Sequence, residues 1–244
     1  MLVEPGCAEK NLSRAEERVC EAAKNGAQIV VLPEASDYGW ADPSASGNAG
    51  PIPGGASCER LRELARRAQV YLCAGLVERE GGRLFNAAVL FTPDGELLLH
   101  HRKIHELDIA QDLYAFGDRL GVARTPFGTI GVMICADAFA AGEPISRTLA
   151  LMGADLIVSP CAWAVPADHD NEREPYGALW RDCYGRVARE HHLRIAGASN
   201  VGPITAGPWA GRKCIGCSLA VGPDGEPSAT GPYGEEALIV VDLV

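Results

Sequence analysis

The stretch Gly128-Thr129-Ile130-Gly131-Val132-Met133-Ile134-Cys135-Ala136-Asp137 decides how the chain is read. Thr129 to Ile134 is a short apolar run rich in β-branched residues, the pattern of a buried strand. Thr125-Pro126-Phe127-Gly128 makes a turn before it. Cys135 stands where the run stops. In open α/β sheets the carboxyl ends of strands face the binding crevice, so a thiol at such a tip is placed to react. The competing reading makes Cys135 one more small buried hydrophobe, the usual fate of a free cysteine.

Outward from this strand, the two halves of the chain repeat one plan. Upstream, Asn11 to Asn25 has its apolar residues on one helical face, with Ser13 and Glu16 at capping-box spacing. Ala27 to Leu32 reads as a buried strand ending in Pro33-Glu34, Cys58 to Gln69 as a helix with a charged outer face, and Val70 to Val77 as a strand. Phe85 to Phe91 and Glu96 to His101 flank a Pro93-Asp94-Gly95 turn and form a hairpin. Downstream come a helix over Pro144 to Met152, a strand over Asp155 to Ser159, a helix over Pro175 to Glu190 and a strand over Leu193 to Ser199. A second hairpin turns at Pro223-Asp224-Gly225, and Ala237 to Leu243 reads as the last strand. The pattern is a pseudo-duplicated α/β architecture of two mixed sheets with helices outside. Segments 35–53, 105–124 and 163–174 are longer than plain connections need, and long ordered loops commonly build a site.

Composition narrows the function. The 244 residues are 47% hydrophobic, enough for one sizeable core and a single domain. A net charge of -10 argues against a nucleic-acid partner or an anionic membrane surface. No apolar run is long enough to span a bilayer, and Met1 to Gly6 does not resemble a signal peptide, so a cytoplasmic protein is expected. Nine scattered cysteines, an odd number, fit reduced thiols better than a disulfide framework.

Two further strand tips carry chemistry. Glu34 follows Ile-Val-Val-Leu-Pro, and Lys103 follows Leu-Leu-Leu-His-His-Arg. Each has an ordinary alternative, a solvated loop carboxylate and a surface lysine. Taken together, a thiol, a carboxylate and an ammonium are the three parts of an acyl-transfer site. The thiolate attacks a carbonyl-like carbon, the carboxylate moves the proton, and the cation stabilises the oxyanion.

At these residues the chain resembles the nitrilase superfamily of carbon-nitrogen hydrolases, in its amidase-like branch. Gly26 to Glu34, His101 to His105 and Gly131 to Asp137 match the family's glutamate, lysine and cysteine motifs, in order. Phe85-Asn86-Ala87-Ala88, both Pro-Asp-Gly hairpins and Ala196 to Gly202 extend the likeness over essentially the whole chain. The resemblance implies a four-layer αββα sandwich, often paired into a homodimer or higher homo-oligomer, with no metal and no organic cofactor. It implies a Glu34, Lys103 and Cys135 triad, with the backbone N–H of Ala136 in the oxyanion hole. Lys103 favours the thiolate and Glu34 opposes it, so the proton is expected to be shared among the groups. A second family glutamate falls on Glu106, with Asp108 and Asp112 as rivals. The implied substrate is a small amide or carbamoyl compound, an amide giving acid and ammonia through a thioester.

The chain departs from the family at two places. The usual first strand has little counterpart, because Met1-Leu2-Val3 runs directly into Glu4-Pro5-Gly6. Ala136-Asp137 follows the nucleophile where nitrilases more often carry Trp-Glu, which favours amide or carbamoyl substrates over nitriles. N-carbamoyl hydrolase and nitrilase remain as alternatives, with a weakly active or inactive binding protein on the same scaffold behind them. Trp163, Tyr38, Trp40 and Trp209 are candidates for a substrate pocket or for loop packing. Cys214-Ile215-Gly216-Cys217 lacks the second ligand pair that zinc requires and reads as structural, and the histidines show no metal spacing. One of His101 and His105 is expected to orient the lysine loop.

Overall fold

A computed structural model describes residues 1–242. The first helix, α1 (Ala8–Lys24), buries Leu12, Ala15, Val19 and Ala22. It begins earlier than the spacing of Ser13 and Glu16 predicts. Ser13 therefore lies inside the helix, where its hydroxyl donates to the Glu9 carbonyl rather than capping. Then come β1 (Ile29–Val31), the short α2 (Ala45–Asn48) and α3 (Ala56–Ala68). They are followed by β2 (Tyr71–Glu80), β3 (Arg83–Phe91) and β4 (Leu97–Arg102). These four strands form a sheet in the order β1-β2-β3-β4, with β1 parallel to β2 and the others antiparallel. The β3–β4 turn is as expected: Thr92 N–H donates to the Glu96 carbonyl, and Gly95 supplies the left-handed φ of 80°.

The second half runs β5 (Val122–Thr125), β6 (Gly128–Val132), α4 (Pro144–Leu151), β7 (Leu156–Cys161) and β8 (Ala164–Pro166). It continues through α5 (Ala178–His191), β9 (Arg194–Ser199), β10 (Val201–Ile204), β11 (Arg212–Ile215), β12 (Leu219–Val221) and β13 (Pro227–Thr230). Its main sheet has the order β13-β12-β9-β7-β6-β5, with β6, β7 and β9 mutually parallel.

Helices α1 and α3 pack together outside the first sheet, α4 and α5 outside the second, and β1 and β2 meet β7 between them. The result is the expected αββα layering. Cys73, Ala88 and Leu90 of the first sheet share one buried cluster with Ile130, Val132, Ile157 and Val158 of the second.

Two expectations fail. A third sheet, β10-β11-β8, forms from segments read as loop, because these strands are only three or four residues long and carry little alternation. Residues 237–242 of the expected last strand are not a strand, and Leu243 lies outside the described residues. Instead β13 pairs with β12, through Leu219 opposite Thr230.

One close approach fixes the loop after β1. A Cβ on Gly75 of β2 would stand 2.5 Å from Glu34 Cα and 2.7 Å from the Pro33 carbonyl oxygen. Gly75 N–H donates to that carbonyl at 3.1 Å, and Ser36 donates its N–H and its hydroxyl back to the Gly75 carbonyl, each at 2.8 Å. The loop is thus pressed flat on β2, and Gly75 is the residue that permits it. Gly75→Ala is expected to lower stability by about 1–3 kcal/mol, the usual cost of overpacking. The urea midpoint reads this, and an unchanged midpoint would mean that the loop has room to move.

Candidate active site

The three strand tips converge. Glu34 follows β1, Lys103 follows β4, and Cys135 opens a 3-10 helix, Cys135–Phe139, just past β6. The strand stops at Val132, two residues before the expected Ile134, and Cys135 takes a left-handed φ of 44°. Such backbone in a residue other than glycine is held only where its surroundings over-determine it. Here the Cys135 N–H donates to Ser159 Oγ at 3.1 Å. Lys103 Nζ donates to Glu34 Oε1 at 2.7 Å and lies 3.7 Å from Glu106 Oε2. Asn86 Nδ2 donates to the same Glu34 oxygen at 2.6 Å. Glu34, Asn86, Lys103, Glu106 and Cys135 are all buried.

Asp137 joins the cysteine turn to the lysine loop. Its Oδ1 accepts the N–H groups of Ile104 at 3.1 Å and His105 at 2.8 Å. Its Oδ2 accepts the Ile134 N–H at 2.9 Å and pairs with His101 Nε2 at 2.8 Å. His101 is therefore the histidine that orients this loop, while the His105 ring packs edge-on against Phe139. Burial works against charge on Asp137, but the His101 bond and the backbone donors outweigh it and hold the carboxyl below its usual range.

Burial also works against the Lys103 ammonium. Glu34, Glu106 and Cys135 more than offset it, so the pKa of Lys103 stands well above the ordinary lysine value. Burial raises Glu106 to about 7; Lys103 opposes that shift and Glu34 adds to it. For Cys135, burial, the neighbouring Cys161 thiol and Glu34 all push the pKa well up, and Lys103 opposes them without prevailing. Burial thus weighs towards the protonated thiol, against the pull of one ammonium.

The other candidates separate cleanly. Asp108 and Asp112 are exposed, and of these three acids it is Glu106 that approaches Lys103. Trp163 is 1% exposed, stacked on Trp180 at 4.6 Å between centroids, with Tyr176 at 6.4 Å. Tyr38 is half-buried and donates its hydroxyl to the Asn48 carbonyl. Trp40 packs on Trp209 at 4.9 Å. Cys214 and Cys217 are free, and among the described residues no group of three His, Cys, Asp or Glu is arranged to hold a metal. Sequence reasoning missed the contacts of Asn86, Ser159 and Asp137. The only prior signal was an asparagine inside the apolar run of β3, where an unpaired amide would be costly.

A family model described as carbon-nitrogen hydrolase matches residues 5–244. The chain is similar to a nitrilase of Pyrococcus abyssi, 38% identical over 200 residues, covering 78% of this chain and 74% of that protein. It is 37% identical over 172 residues to an omega-amidase of Xenopus tropicalis, covering 66% of this chain and 61% of that relative. Among solved structures, a carbon-nitrogen hydrolase from Helicobacter pylori G27 superposes with a TM-score of 0.84 at 25% identity, covering 97% of this chain and 85% of that one.

The raised Glu106 has a measurable consequence. A carboxyl whose folded pKa exceeds its unfolded value binds more protons when folded, so it removes stability as pH rises through that interval. For Glu106 the interval runs from the ordinary glutamate value of 4.5 to about 7. Asp37, raised to about 6 by burial, contributes in the same direction. Glu106→Gln is expected to flatten, without abolishing, the fall in unfolding free energy across this window. Parallel pH–stability curves for parent and variant would show that Glu106 does not titrate there.

Proposed function

The chain belongs to the carbon-nitrogen hydrolase family, and from that premise we propose that it is a cysteine-dependent amidase, converting a small amide to acid and ammonia through a thioester. The observation that carries this reading is a buried ammonium, Lys103, held at 2.7 Å by Glu34 beside a thiol at a strand tip. Glu34 takes the Cys135 proton as sulfur adds to the amide carbon. The oxyanion is met by Lys103 Nζ and by the Ala136 N–H, in the first turn of the 3-10 helix that Cys135 opens. Glu34 returns its proton to the departing ammonia, leaving the acyl group on sulfur. It then deprotonates the water that attacks the thioester and passes that proton to Cys135 sulfur as the carbon–sulfur bond breaks and the acid leaves. Glu106 Oε2, 3.7 Å from Lys103 Nζ, adds to the negative charge that keeps the ammonium protonated. With burial weighing against the thiolate, attack and proton transfer are coupled in this reading.

The similarity to an omega-amidase favours an amide substrate. The similarity to a nitrilase keeps the nitrile as a second reading. Carbamoyl compounds fit the same chemistry, with Trp163 and Tyr38 as candidate pocket residues. We assign the activity to a single domain spanning residues 1–244. The net charge of -10 and nine free cysteines support a cytoplasmic location. Leu151, Met152 and Leu179, exposed at 80%, 43% and 53%, support a homodimer or higher homo-oligomer formed through the α4–α5 face.

A panel of short amides, carbamoyl amino acids, ureides and nitriles, assayed for ammonia release, tests the reading. Turnover is expected to be highest on amides, with Cys135→Ala folded and silent. Iodoacetamide should label Cys135 ahead of the other thiols. Turnover by Cys135→Ala near the parent rate would remove the nucleophile assignment.

A further inference from the structure

Glu34 has two oxygens, and its neighbours treat them differently. Lys103 Nζ and Asn86 Nδ2 both donate to Oε1, at 2.7 and 2.6 Å. Among the described residues, Oε2 accepts no hydrogen bond. Asn86 also touches the lysine segment, since the Lys103 N–H donates to the Asn86 carbonyl at 2.8 Å. It lies on β3 opposite Val77, two residues along β2 from Gly75, against which the Glu34 loop is pressed. One strand residue thus grips the acid through its side chain and the amine through its backbone.

This grip is retained at a cost. Asn86 is fully buried, and among the described residues its Oδ1 has no hydrogen-bond partner. An orphaned buried acceptor destabilises a fold by about 1–3 kcal/mol, so a residue kept only for packing would do better as leucine. Charge-assisted donors hold a carboxylate oxygen firmly. Two of them on Oε1 fix the rotation of the carboxylate and occupy that oxygen.

Resting on the amidase reading, we propose that Asn86 is the positioning residue that makes the two oxygens of Glu34 inequivalent, securing Oε1 together with Lys103 and reserving Oε2 for proton transfer. The proton path then has definite atoms. Oε2 takes the proton from Cys135 Sγ as the carbon–sulfur bond forms. It gives that proton to the leaving nitrogen as the carbon–nitrogen bond breaks; in deacylation it takes one from water as the carbon–oxygen bond forms and returns it to Cys135 Sγ as the carbon–sulfur bond breaks. Lys103 keeps its own proton throughout, because the pair with Oε1 is never broken.

The test compares Asn86→Leu and Asn86→Asp, both close in size to asparagine and both without the N–H donor. In Asn86→Leu, kcat should fall about tenfold to a hundredfold with KM within threefold of the parent, the signature of lost orientation rather than lost binding. Its melting temperature should stay close to the parent's, because the orphan leaves together with the bond. Asn86→Asp should lose more kcat, since a second carboxylate then faces Glu34. It also carries the test if the leucine variant does not fold. A kcat within twofold of the parent, or a tenfold rise in KM with kcat held, would overturn the proposal. If the parent itself releases no ammonia from any amide, the amidase reading fails, and the rate of Cys135 alkylation by iodoacetamide replaces turnover. Slower alkylation in Asn86→Leu then supports the role of Oε2 as proton acceptor, and an unchanged rate overturns it.

Discussion

A fully buried carboxylate, Asp137, holds the site together by accepting four hydrogen bonds from two separate parts of the chain. The Ile134 donor belongs to the cysteine turn after the second sheet's β6, and the Ile104, His105 and His101 donors belong to β4 of the first sheet and the loop after it. A carboxylate without donors in that interior would be costly, and four backbone and ring N–H groups left without an acceptor would be costly as well. The two sheets therefore have little freedom to slide here. Cys135 and Lys103 inherit their relative position from this bond set, and Glu34 inherits its own from the contact of its backbone with Gly75.

Electrostatics then follows from burial. The site holds one ammonium, the carboxylates of Glu34 and Glu106, and a thiol, with almost no water contact. In such a medium charges must be paired to persist, and Lys103 is paired twice, at 2.7 and 3.7 Å. The available cation is already committed to carboxylates, and burial pushes the Cys135 thiol's pKa up. The chemistry this favours is concerted: charge appears on sulfur only as it is spent in bond formation. In the proposed mechanism the same committed ammonium donates to the oxyanion as charge moves from sulfur to oxygen.

Much of this was legible in the sequence, and the reason is specific. Glu34, Lys103 and Cys135 each end an apolar run, and reactive side chains at the ends of such runs stand out against a buried-strand pattern. The helices α1, α3, α4 and α5 and the Pro-Asp-Gly hairpins were readable for the same reason, since their signals lie within a few residues of each other. What escaped was set by contacts distant in sequence. The β10-β11-β8 sheet is made of three- and four-residue strands with no periodicity to detect. Residues 237–242 have strand-like composition, but β13 takes the place beside β12. Asn86 lies 52 positions from Glu34, and nothing local announces their bond. The upward shift of the Cys135 pKa depends on burial, which a sequence cannot display.

The most direct measurement is mass spectrometry of the enzyme quenched during turnover of a short amide. The account predicts a covalent adduct equal in mass to the amide less ammonia, located on the peptide that carries Cys135 and lost once substrate is exhausted. Steady ammonia release with no adduct at any quench time, or an adduct on another thiol such as Cys161, would contradict it.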